Sequence, residues 1–149
     1  MPEPIRAPGA EVRLARRAGA LRVLVVDDNA DAAQLLAEIL ALSGHDVRTA
    51  PDGPTALDVA ATFRPEVAVL DIGLPVMDGY ELALRLQDLL GVAAPAMVAV
   101  SGYGQPADRE RSRAAGFCSH FVKPADVERI LAELDRIAAQ RRPQAAAHA

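Results

Sequence analysis

Five short apolar runs alternate with five segments whose apolar residues recur at helical spacing, and this alternation restricts the fold more than any other feature. The runs are Leu21 to Val26, His45 to Thr49, Val67 to Leu70, Ala96 to Val100 and Ser119 to Val122. Between them, Ala32, Leu35, Leu36, Ile39 and Leu40 mark a first helix closed by Ser43-Gly44. Gly53-Pro54 opens a second through Phe63. Asp78-Gly79 opens a third that carries Leu82, Leu86 and Leu89 and ends at Gly91. Pro106 to Ala115 forms a fourth, closed by Gly116. Val127, Ile130, Leu131, Leu134 and Ile137 stripe the last. Continuous apolar strands separated by amphipathic helices imply a parallel sheet covered on both faces. Right-handed crossovers make it a doubly wound α/β sheet, whose ligands sit beyond the carboxyl ends of the strands.

The rest of the composition narrows the function. A chain of 149 residues, 51% of them apolar, suits one domain with a single core region. With no Trp, two Tyr and three Phe it offers few stacking platforms for bases, and a net charge of −4 gives no attraction to nucleic acid or anionic membrane. Cys118 alone permits neither an internal disulfide nor a cysteine zinc site, and points to a reducing, cytoplasmic setting. No apolar run is long enough for a bilayer, and the start lacks a secretory pattern. Residues 1–20, with Arg6, Arg13, Arg16 and Arg17, read as a flexible tail. Residues 21–139 form the domain. Residues 140–149 read as a second flexible tail, with Pro143 stopping the last helix.

Four of the five strands end in reactive polar residues: Asp27-Asp28, Asp71, Ser101 and Lys123-Pro124. The fold gathers strand ends at one rim, so these groups should converge. Three carboxylates together repel unless a cation intervenes. A hard divalent ion suits oxygen ligands, and Mg2+ fits best because it takes one or two carboxylates and keeps waters or phosphate oxygens. Asp27, Asp28 and Asp31 also stand where one of them would cap the first helix. Capping does not account for Asp71, Ser101 and Lys123 at other strand ends. Lys123 would pair with a carboxylate or a phosphoryl oxygen, and Ser101 would donate to another. Gly102 and Gly104 around Tyr103 suggest a loop able to move.

The stretches Leu24-Val25-Val26-Asp27-Asp28-Asn29, Val69-Leu70-Asp71-Ile72-Gly73-Leu74-Pro75-Val76-Met77-Asp78-Gly79, Val100-Ser101-Gly102 and Phe121-Val122-Lys123-Pro124 resemble the signatures of receiver domains of two-component response regulators, here of single-domain type. The resemblance runs from Leu21 to Ala139. It implies a flavodoxin-like (βα)5 fold with strand order 2-1-3-4-5. Asp71 is then the phosphoacceptor. Asp28 binds Mg2+ directly and Asp27 largely through water, with Asp71 and the Gly73 carbonyl completing the protein ligands. Ser101 hydrogen-bonds the phosphoryl group and Lys123 pairs with it. A cis peptide is implied at Lys123-Pro124. The partner implied is a histidine kinase or histidine phosphotransfer protein, with no nucleic acid and no membrane involved.

The chain departs from the family at His120, three residues before Lys123, where a Tyr or Phe is usual. His120 is a possible switch position, as is Tyr103, and Phe121 belongs to the core on the opposite face. The polar fourth helix buries little and should be easy to reposition. The resemblance implies a signalling module that is not an enzyme in the ordinary sense and catalyses only its own phosphorylation and dephosphorylation. Within the family it could equally serve as a phosphate shuttle or sink, or as the receiver of a hybrid kinase. An Asp-nucleophile phosphatase would need a second Asp where Gly73 stands. A flavin carrier would need a phosphate-cradling loop where Asp27-Asp28 stands.

Overall fold

The computed structural model describes residues 19–102 and 109–148. Five parallel strands, β1 (Arg22–Val26), β2 (Asp46–Ala50), β3 (Val67–Asp71), β4 (Ala96–Ser101) and β5 (Phe117–Val122), form one sheet in the order β2-β1-β3-β4-β5. The helices are α1 (Ala30–Leu42), α2 (Gly53–Phe63), α3 (Gly79–Leu90), α4 (Arg109–Ala114) and α5 (Val127–His148), with a 3-10 turn at Gly91–Ala93. This is the doubly wound sheet and strand order expected. Residues 1–18, 103–108 and 149 lie outside the described residues, and with them most of the N-terminal tail and the Tyr103 loop. Among the described residues no helix is long and apolar enough to cross a membrane.

Strand periodicity sorts the core into two layers. Leu24, Val26, Ala68, Leu70, Met97 and Ala99 face α2 and α3, where Ala56, Ala60, Leu82 and Leu86 are buried. Val23, Val25, Val67, Val69, Val98 and Val100 face the other way, packed with Ala33 and Leu40 of α1 and Ile130, Leu134 and Ile137 of α5. All five residues of β3 are buried, as befits the central strand.

Side chains close the helix ends. The Ala32 amide donates to Asn29 Oδ1 (3.0 Å), the Thr55 amide to Asp52 Oδ1 (2.8 Å) and the Glu81 amide to Asp78 Oδ1 (2.9 Å). The cap of α1 is therefore Asn29 and not one of the three aspartates proposed for it. Gly91 ends α3 with φ 56°.

Element bounds and helix faces differ in places from the sequence reading. β5 starts at Phe117, two residues early, because the ladder with β4 continues across an irregularity between Met97 and Val98. Phe117 is buried there, edge-on to Tyr80 with ring centroids 6.2 Å apart. In α1 and α3, Leu35 and Leu89 are exposed, and Ala33, Ala37, Ala83 and Leu90 are buried instead. α5 runs to His148, through the Pro143 that was expected to end it. Proline already has a helical φ, and the following alanines are the strongest helix formers. The Arg141 guanidinium also donates to the Glu66 carbonyl (3.1 Å), which ties the helix to the loop before β3.

Val76, between β3 and α3, has φ 70° and is 95% exposed. A β-branched residue in the left-handed region is strained. No packing offsets the strain here, so Val76→Asn is expected to raise stability by about 1 kcal/mol, read as a higher denaturant midpoint with unchanged slope.

Candidate functional site

Sheet register assembles the site. Val26 pairs with Leu70 and Asp71 with Val100, so Asp27 and Asp71 follow side by side at the carboxyl ends of the central strands. Ser101 pairs with Val122, which brings Lys123 to the same rim. The Lys123 amide donates to the Ser101 carbonyl (2.8 Å), and the Lys123-Pro124 bond is cis, as the resemblance implied.

The polar groups converge as the strand ends suggested. Ligand oxygens of Asp27, Asp28 and Asp71 all lie within 4.8 Å of one another. Lys123 Nζ donates to Asp27 Oδ2 at 2.8 Å and to Asp71 Oδ2 at 3.1 Å. Each carboxylate is also oriented by the chain that follows it. The Asn29 amide donates to Asp27 Oδ1 and the Gly73 amide to Asp71 Oδ1, both at 2.9 Å. Asp27, Asp71 and Ser101 are buried, while Asp28 is exposed at the mouth.

The ammonium feels two opposed effects. Burial lowers the pKa of Lys123, but hydrogen bonds and charge from Asp27 and Asp71 outweigh it and hold the group above the usual lysine value. It is a cation throughout the neutral range. Among the described residues, three clustered carboxylates and one ammonium, which pairs with Asp27 and Asp71, leave the site negative, and its oxygen-only donor set suits a hard divalent cation.

Gly79 holds the phosphoacceptor candidate close to α3. Its amide donates to the Ile72 carbonyl (3.0 Å), and a Cβ there would lie 2.6 Å from the Asp71 carbonyl oxygen. Only glycine allows α3 to start this near the end of β3.

Below the carboxylates, an apolar groove of about 580 Å³ runs between α1 and α5, lined in part by Leu35, Leu36, Ile39 and Ile130. It reaches Asp27, Asp71 and Lys123 at its upper end. The apolar stripe of α1 thus lines an open groove as well as the core.

His120 lies beside the site and not in it. Its Nε2 is 2.9 Å from Ser101 Oγ and its Nδ1 is 3.0 Å from Ser112 Oγ. Phe121 packs on the layer formed with α1 and α5, partly buried, on the other face of the strand. Sequence reasoning missed Ser112 and Arg111. Ser112 is buried amid exposed residues of α4, and its one signal was a small polar residue within a charged run. The Arg111 guanidinium stacks 4.1 Å from the Tyr80 ring centroid and lies 3.6 Å from Asp78 Oδ2, linking α4 to the cap of α3.

The model of the response regulator receiver domain matches residues 23–135. The chain belongs to that family. This receiver domain is 36% identical over 105 residues to an uncharacterized 14.6 kDa protein of Leptolyngbya boryana, covering 70% of this chain and 79% of that one. It is 31% identical over 129 residues to the DNA-binding dual master transcriptional regulator RpaA of Synechocystis, covering 85% of this chain and 54% of that protein. The receiver thus spans about half the length of RpaA. A solved CheY-like receiver domain protein from Methanospirillum hungatei superposes with a TM-score of 0.75 at 24% identity, over 83% of this chain and 97% of that one, and shares its fold.

Proposed function

We propose that this receiver takes a phosphoryl group from the phosphohistidine of a histidine kinase or phosphotransfer protein onto Asp71, and that the phosphorylated form changes its affinity for a protein partner. The observation that carries this reading is the clustering of the Asp27, Asp28 and Asp71 carboxylates, two of which, Asp27 and Asp71, hold the Lys123 ammonium.

Asp71 Oδ attacks phosphorus in line, an O–P bond forms, and the P–N bond to the donor imidazole breaks. Asp27, Asp28, Asp71 and the Gly73 carbonyl would hold Mg2+, which when bound supplies positive charge against the phosphoryl oxygens. Lys123 is already tethered to both buried carboxylates, so it needs only a small displacement to pair with a phosphoryl oxygen. Ser101, at the end of the neighbouring strand, donates its hydroxyl to another. The chain contributes positioning and charge, which is most of what phosphoryl transfer asks of a protein. Water later cleaves the acyl phosphate at the same site.

Phosphoryl uptake from a small acyl phosphate is expected to need Mg2+ and to fall about 100-fold or more when a chelator is added, since the ion contributes several kcal/mol of charge stabilisation. Time courses on Phos-tag gels with and without chelator measure this. Uptake that ignores chelation would contradict the metal assignment.

A further inference from the structure

One imidazole connects Ser101 to the helix that follows β4. His120 stands on β5 in register with Ala99, and its two ring nitrogens face two different hydroxyls, Ser101 Oγ at 2.9 Å and Ser112 Oγ at 3.0 Å. Both serines are buried, at 1% and 4% exposure, so each needs a hydrogen-bond partner inside the protein. Ser112 is the inward group of α4, with exposed residues on either side. α4 has other polar attachments: Arg111 on Tyr80 and Asp78, and the Gln87 side chain, whose Nε2 donates to the Ala115 carbonyl at 2.7 Å.

We propose that His120 and Ser112 are positioning residues for Ser101, and that the three form a hydrogen-bond relay whose polarity reports the phosphoryl group to α4. The proposal rests on the phosphoryl reading above. A neutral imidazole has one N–H and one acceptor nitrogen, and each serine has one proton. When Ser101 donates to a phosphoryl oxygen, its proton is committed. The Ser101–His120 bond then survives only with Nε2–H donating to Ser101 Oγ. Nδ1 becomes an acceptor, and Ser112 donates to it. The opposite order serves the unphosphorylated site: Ser101 donates to Nε2, and Nδ1–H donates to Ser112. Changing order moves the ring proton from Nδ1 to Nε2 by exchange with water and rotates the Ser112 hydroxyl, and neither serine gains or loses a proton. An aromatic hydrocarbon ring at this position could not carry such a signal. Here coupling runs through matched donors and acceptors on the two ring nitrogens.

Ring-nitrogen NMR on the full chain tests this, with the His120 signals assigned by their loss in His120→Gln. In the unloaded chain, Ser101→Ala is expected to move the Nε2 signal and Ser112→Ala the Nδ1 signal. Loading with Mg2+ and beryllofluoride, followed by the bound fluorine resonance, is expected to drive His120 to the Nε2–H form. Loading should also change amide exchange across residues 109–114 by about 5-fold, the worth of one net hydrogen bond, because a Ser112 proton that turns to Nδ1 is withdrawn from any other acceptor. That response should vanish in Ser112→Ala and return in Ser112→Thr, a pattern that general loosening of α4 would not produce. Ring nitrogens that stay put in a loaded chain overturn the relay alone, as does an α4 response undiminished in Ser112→Ala. Failure of beryllofluoride to bind overturns the relay and the phosphoryl reading together.

Discussion

Asp71→Asn is expected to abolish phosphoryl uptake while raising the melting temperature of the metal-free chain. An amide is not a nucleophile toward phosphorus, so no acyl phosphate forms. The stability gain has a separate cause. Asp71 is buried within a cluster of three carboxylates whose ligand oxygens lie within 4.8 Å, and among the described residues Lys123 is the cation that pairs with the cluster. Removing one charge deletes two repulsions and one attraction. At such separations and an effective dielectric near 20, the net gain is on the order of 1–3 kcal/mol. Asn also keeps an oxygen for the Gly73 amide, so the turn after β3 is preserved. Phosphoryl uptake and thermal melts in chelator measure the two halves. Loss of uptake together with loss of stability would point to a structural role for the carboxylate.

Lys123→Met should have the opposite effect on stability. The methionine chain fills similar space but leaves Asp27 and Asp71 facing each other without a cation. Breaking a fully buried pair costs about 3–5 kcal/mol, and the 32% exposure of the Lys123 side chain reduces this to about 2. Because its pKa in the folded chain lies above the ordinary 10.5, the contribution of Lys123 is present in full below about that pH and is lost as pH rises through the folded value. The stability gap between the variant and the parent should therefore hold across neutral pH and close only in strong alkali. Mg2+ should narrow the gap at neutral pH by supplying the missing charge. Phosphoryl uptake should slow about 100-fold, as for loss of one charged donor to a transferring group. Denaturant melts over a pH series and uptake rates check both.

Much of this could be read from the chain because each element obeys a local rule. The strands are continuous apolar runs, the turns carry Gly, Asp or Pro, and the reactive residues stand where strands end, so their convergence follows from a parallel sheet. What escaped the sequence depends on distances between elements. Periodicity marks Leu35 and Ile39 as one side of α1, but not that α5 stands far enough away to leave a groove there. Asn29 and Asp28 are equally good capping residues by type, and only the path of the chain selects Asn29. Ser112 looks like one more polar residue of α4 until β5 places His120 against it. Pro143 is a strong stop signal locally, yet it sits between Arg141, tied to Glu66, and a run of alanines.

The central claim is that Asp71 carries the phosphoryl group. Treating the chain with a small acyl phosphate and Mg2+, reducing it with borohydride and sequencing its peptides by mass spectrometry would test it, because reduction turns an acyl phosphate into an alcohol and marks the modified aspartate as homoserine. Homoserine at position 71, absent when Mg2+ is withheld, is the predicted result. Homoserine at position 27 or 28, or at none, would contradict it.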